Sequence, residues 1–163
     1  MNAKHEIKSL RDSFKFALSG FLYCVNNERN VRIHISVTLL LSLFSYYYGL
    51  NRMQYMIFAL VCGLVIFAEM MNTSIEAVVN LVSPSYHQLA KVAKDVAAGA
   101  VLLAALVAVL VGICLFGDIG RLAAAFELLL ANPIRIAVFA LLSLLLLVFI
   151  FKGNGMISKL KNK

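Results

Sequence analysis

Apolar residues recur at intervals of three and four through the first stretch of the chain, at Ile7, Leu10, Phe14, Leu18, Phe21, Leu22 and Val25. Lys4, Lys8, Arg11, Asp12 and Lys15 fall mostly on the opposite side. The spacing predicts an amphipathic helix over residues 5–25. Such a helix can lie in the headgroup plane with its apolar face down, or pack against other helices. Four apolar runs follow: Ile33 to Leu50, Met53 to Val82, Val96 to Phe116 and Ile134 to Phe151. At 18, 30, 21 and 18 residues, each is long enough to carry a helix across a bilayer, which takes about 17–25, so four spans are predicted. Tyr46, Tyr47 and Tyr48 close the first run, as suits a membrane–water interface. Ser83-Pro84-Ser85 reads as a turn within a connection from Ser83 to Asp95, Gly117 and Gly120 punctuate the third connection, and Gly153-Asn154-Gly155 stops the last helix.

Composition agrees with lipid as the solvent. The 163 residues are 62% hydrophobic and 14% charged, with a mean hydropathy of +0.89, against about 45–50% apolar and roughly 25% charged in soluble domains. Disorder, a secreted mini-protein and an ordinary water-soluble enzyme are excluded. The net charge of +7 therefore reads as a membrane-side bias, with no nucleic-acid partner. Lys and Arg number 6, 1, 2, 2 and 4 in the segments before, between and after the spans. That alternation places both termini of a multi-pass membrane protein in the cytoplasm. No cleaved signal is expected, because charges recur through the N-terminal segment. Cys24, Cys62 and Cys114 lack metal-ligand spacing and read as buried small hydrophobes.

The second run carries polar residues that lipid does not tolerate. Glu69, Asn72, Thr73, Glu76 and Asn80 follow i, i+3, i+4, i+7 and i+11, one face of one helix. Glu69 and Glu76 lie roughly 10 Å apart along its axis. Carboxylates at membrane depth mark functional sites by default; the bland alternative is hydrogen bonding between packed helices. Lys91, Lys94 and Asp95, and Glu28 with Arg29 and Arg32, lie at the same cytoplasmic level. Carboxylates with a lysine and an asparagine suit Mg²⁺ and phosphates, and phosphoryl transfer needs little beyond positioning, charge neutralisation and a proton acceptor. The sequence has no P-loop and no protein-kinase signature. A proton-coupled transporter or channel with Glu69 as carrier, or a structural bundle, are rivals; the near absence of polar groups at depth on the other spans favours an interfacial active site over a pore.

Three blocks then carry a resemblance. The run from Glu69 to Val79 (EMMNTSIEAVV) resembles the signature of the prokaryotic diacylglycerol kinase family, which includes undecaprenol kinases. Tyr86 to Val101 (YHQLAKVAKDVAAGAV) looks like its second block, and Asn27 to His34 (NERNVRIH) like its first, the similarity covering about residues 10–116. The resemblance implies an all-α membrane protein: an N-terminal amphipathic surface helix with three transmembrane helices, assembled as a homotrimer with shared active sites. It implies ATP-dependent phosphorylation of a membrane lipid alcohol. By position, Glu69 would be the catalytic base, Glu28 and Glu76 would hold Mg²⁺ on ATP, and Asn72, Ser85, Tyr86, His87, Lys94 and Asp95 would contact nucleotide. The first block looks more like the undecaprenol kinase branch than the diacylglycerol kinase branch. Two features depart from the pattern. Asn80 stands where the signature usually has Asp, and residues 117–163 add a fourth span and basic tail to a kinase domain of residues 1–116. That extra helix is expected to pack or anchor, with the chemistry surviving its deletion.

Overall fold

The computed structural model describes residues 3–83 and 85–152, with side chains from residue 10 onward. Six helices account for almost all of them: α1 (Ala3–Asn27), α2 (Arg29–Tyr48), α3 (Arg52–Val82), α4 (Gln88–Phe116), α5 (Ile119–Leu130) and α6 (Pro133–Lys152). No strand occurs among the described residues.

Local chemistry explains each break. Glu28 takes an extended conformation (φ −100°, ψ 116°) between α1 and α2. Gly49 ends α2 with φ 73°, a left-handed position that glycine occupies without the Cβ clash, and its N–H bonds the Ser45 carbonyl at 2.9 Å. Asn51 and Gln54 then form a reciprocal capping box that opens α3, both bonds at 2.9 Å. His87 caps α4 by accepting the Leu89 N–H on Nδ1 at 3.2 Å. This starts the helix at Gln88, so Lys91, Lys94 and Asp95 stand on its first turns and not in the connection expected from Ser83 to Asp95. The third connection also differs from expectation. Asp118 caps a short amphipathic helix, α5, that contains Gly120 instead of being interrupted by it. The expected stop at residues 153–155 lies outside the described residues.

Helices α3, α4 and α6 are long and apolar enough to cross a membrane. Helix α2 was expected as a span too; it has 20 residues but carries Arg29, Arg32 and His34 in one end and does not meet that compositional mark. Its polar residues are accommodated because α1, α3, α5 and α6 all pack against it. Arg32, Ser36 and Ser45 are buried there, and large apolar residues of α4 and α6, such as Leu102, Leu103, Leu144 and Leu145, face outward. At 31 and 29 residues, α3 and α4 extend about 46 and 44 Å. A hydrocarbon core is about 30 Å thick, so both project beyond it.

Two contacts lock the ends of the bundle. At one, Tyr48, Leu50 and Ala125 pack with Phe44, Tyr47, Phe116 and Leu122, and Arg121 lies 4.4 Å above the Tyr48 ring while donating to the Tyr48 and Gly49 carbonyls. At the other, α6 returns beside the start of α2, where Arg32 donates to the Ile150 carbonyl at 3.2 Å. Of the three cysteines, all free, Cys24 is buried as expected, Cys62 is half-buried and Cys114 is exposed on the outer face of α4.

Candidate functional site at the inner ends of α2, α3 and α4

The polar face of α3 turns toward α2. Glu69 is 3% exposed and Thr73 8%, so this stripe meets protein and not acyl chains. Thr73 Oγ1 donates back to the Glu69 carbonyl at 3.1 Å, which keeps its hydroxyl satisfied in the helix. Across the interface, His34 places Nε2 3.4 Å from Glu69 Oε1, and the Asn30 side chain, one turn earlier on α2, approaches the same carboxyl. Glu69 lies about 26 Å along the axis from the start of α3, which is near the far edge of a hydrocarbon core. One turn of polar residues further on, Asn72 Nδ2 donates to Glu76 Oε1 at 2.9 Å. This fixes the orientation of the Glu76 carboxylate and leaves Asn72 Oδ1 buried with no partner among the described residues.

Glu28 approaches this pair from the α1–α2 junction. Burial, and then the neighbouring Glu76 and Glu69 carboxylates, hold its carboxyl above the usual range, with Arg32 acting in the opposite sense. Three acidic groups thus share one locality from two elements, which is an unfavourable arrangement unless a cation joins it. No group of three His, Cys, Asp or Glu side chains among the described residues could hold a metal by itself, so an ion here needs further ligands such as phosphate oxygens. The residues fit that use: carboxylate oxygens short of positive charge, beside an unpartnered amide oxygen, are hard donors of the kind Mg²⁺ shares with nucleotide phosphates.

The second block divides. Lys94 Nζ donates to Asn80 Oδ1 at 2.7 Å, joining α4 to the polar face of α3. Asp95 pairs instead with Lys91, one turn back on the same helix, at 2.5 Å. Ser85, Tyr86 and His87 are exposed in the α3–α4 connection, where the Ser83 hydroxyl donates to the Ser85 carbonyl at 3.0 Å and His87 serves as the cap of α4. Within this chain, Asn72 and Glu76 are in contact, Glu28 feels the charges of Glu76 and Glu69, Lys94 bonds Asn80 of the same α3 stripe, and Asp95 and residues 85–87 are exposed outside this set.

The sequence reading missed His34 and Asn30 as partners of Glu69. The available cue was that His34 and Glu69 lie at similar distances along the chain from the Gly49–Asn51 turn, which places them at the same depth in an antiparallel pair. His34 also lines an apolar cavity of about 320 Å³ between α2, α3 and α4, whose wall continues along Val37, Leu41, Val61 and Val65 to Phe116.

Comparison with known proteins adds an independent line. The family profile described as prokaryotic diacylglycerol kinase matches residues 15–116. A protein named diacylglycerol kinase from Synechocystis sp. is 44% identical over 115 residues, 70% of this chain and 66% of that protein, so the match spans just under two thirds of that relative's length. A protein named undecaprenol kinase from Bacillus subtilis is 32% identical over 113 residues, 69% of this chain and 92% of its own length. A diacylglycerol kinase from Pseudomonas aeruginosa is 29% identical over 94 residues, 58% of this chain and 76% of that protein. No solved structure gives a significant match.

Proposed function

The chain belongs to the prokaryotic diacylglycerol kinase family, a family of lipid kinases, and from that membership we propose that it transfers the γ-phosphate of ATP to the hydroxyl of a membrane lipid alcohol, undecaprenol. The reading rests on one observation above the others: Glu28, Glu69 and Glu76 lie close enough at the inner end of α3 to feel one another's charge, with a cavity leading from His34 into the apolar interior.

Each residue then has a chemical task. Glu69 accepts the proton of the lipid hydroxyl as its oxygen attacks the γ-phosphorus and the bond to the ADP oxygen breaks. His34 holds the Glu69 carboxyl in place for that transfer. Glu28 and Glu76 hold Mg²⁺ on the ATP phosphates, and Asn72 fixes the rotamer of Glu76. When bound, the ion neutralises charge on the triphosphate. Lys94, steadied by Asn80, supplies a cation to the phosphates. Asp95 and the segment Ser85-Tyr86-His87 contact nucleotide from the rim. The apolar cavity suits the alkyl or prenyl part of the substrate, with the hydroxyl at the level of His34. We place the site at the cytoplasmic face of a bacterial cell membrane, with both termini on that side and three copies of the chain sharing active sites.

A second alcohol has its own support. The Synechocystis relative, with the higher identity, is named for diacylglycerol, whereas the Asn27–His34 block favours undecaprenol. Protein reconstituted in bilayers with Mg²⁺ and γ-labelled ATP, offered each alcohol separately and then both in competition, decides between them. Label in undecaprenyl phosphate is expected. Label in phosphatidic acid alone would select the second reading, and label in neither would overturn the kinase proposal.

A further inference from the structure

The C-terminal helix α6 reaches the junction that carries Glu28. Arg32 is the largest of the fully buried side chains, 1% exposed. Its Nη1 donates to the Val25 and Asn26 carbonyls, both at 3.0 Å, and its Nε to the Ile150 carbonyl at 3.2 Å. Val25 and Asn26 belong to the last turn of α1, and Ile150 to the last turn of α6. The final four carbonyls of a helix have no partner within it and carry its partial negative charge. Two helix C-termini therefore converge on one guanidinium, and a buried guanidinium is tolerated only when its donors are matched in this way. The next residue of α6 adds a second hold: the Arg29 guanidinium lies 4.9 Å from the centre of the Phe151 ring. Glu28, the N-cap of α2, stands between the α1 carbonyls bound by Arg32 and the Arg29 side chain stacked on Phe151.

We propose that α6 is a strut that sets the position of Glu28, with Arg32 as the positioning residue through which it acts. The inference rests on the reading of Glu28 as a ligand of the metal–phosphate group. It replaces the expectation that the extra helix only packs or anchors: the last turn of α6 is required for full affinity toward MgATP and not for the transfer step itself.

The test uses protein in lipid nanodiscs and five variants: a stop after Ala131 that removes α6, Arg32→Met, the two combined, Arg135→Met, and Glu28→Gln, which tests the ligand reading on its own. Arg135 donates to the Leu128 carbonyl at the other end of α6, so its substitution loosens the same helix away from Glu28. Three quantities are read: the dissociation constant of MgATP by calorimetry, KM for MgATP against kcat, and amide exchange over residues 24–32 without nucleotide. The truncation and Arg32→Met are each expected to weaken MgATP about tenfold, as for loss of a charge-assisted hydrogen bond, to leave kcat within about twofold, and to speed exchange across the junction. The combined variant is expected to be no weaker than the weaker single variant, because both remove one coupling. Arg135→Met is expected to bind as the unaltered chain does. If the truncated chain does not fold, full-length Phe151→Ala decides, with a loss of about threefold expected. Unchanged MgATP affinity in the truncation or in Phe151→Ala, or fully additive losses, overturns the strut while leaving the kinase reading intact. Unchanged affinity in Glu28→Gln overturns the ligand reading, and the strut with it.

Discussion

A carboxyl group that is 3% exposed and faces an imidazole at 3.4 Å is held for a purpose, since a glutamine would satisfy the same neighbours without the cost of burying an acid. Glu76 is different: it is half-buried and oriented by Asn72, and the proposal gives it a binding role. Glu76→Gln is expected to weaken Mg²⁺-dependent nucleotide binding about tenfold or more, read as the Mg²⁺ dependence of nucleotide affinity. Glu28 gives a pH signature. Its carboxyl titrates above the usual range because of burial and then the Glu76 and Glu69 charges, so the folded protein binds that proton more tightly than the unfolded chain does. The favourable contribution of this group is complete below its unfolded pKa and is lost as pH rises through the raised folded value. Glu28→Gln without nucleotide is therefore expected to raise the melting temperature at neutral pH, with the gain fading under acid conditions. A lower melting temperature at neutral pH would contradict the crowding of charges around Glu28. At this scale the α3 stripe was legible in the sequence, because helical period alone puts Glu69, Thr73 and Glu76 on one face. The partners His34 and Asn30 were not, since they depend on the depth at which α2 crosses α3.

The elements are set by a few polar residues acting on the backbone. Gly49, at φ 73°, turns α2 into α3 and thereby fixes which residue of α2 faces Glu69. Gly49→Ala is expected to cost about 1–2 kcal/mol of stability, seen as a lower melting temperature. Where the chain still folds, KM for MgATP should be unaffected, because the residues proposed to bind nucleotide lie at the other end of the hairpin. A change in KM with no change in stability would contradict that separation. Helix boundaries were the least legible feature of the sequence. The α4 start was hidden because Lys91 and Asp95 look like loop charges until their i, i+4 pairing is considered. Helix α5 was hidden because Gly117 and Gly120 look like breakers, although Asp118 between them is a good N-cap. Asn80, where the resemblance leads to the expectation of an acidic residue, accepts a hydrogen bond from Lys94 without carrying a charge.

For the whole molecule, the apolar runs marked the bundle, but the standing of α2 depended on what surrounds it. Arg32, Ser36 and Ser45 are buried where α1, α3, α5 and α6 pack on it and need not face lipid. The proposed orientation makes a direct prediction. In a background without the native cysteines, a cysteine at Gln88 is expected to react with a membrane-impermeant thiol reagent only from the cytoplasmic side, and one at Asp118 only from the opposite side. The reverse pattern would invert the site relative to cellular ATP. The central claim is that Glu69 takes the proton of a lipid alcohol while the other carboxylates bind MgATP, and it is tested most directly by measuring phosphate transfer and MgATP binding side by side in Glu69→Gln. The account predicts a loss of roughly 10²–10⁴-fold in transfer with MgATP bound as tightly as in the unaltered chain. Transfer at the unaltered rate, or its loss together with nucleotide binding, would contradict it.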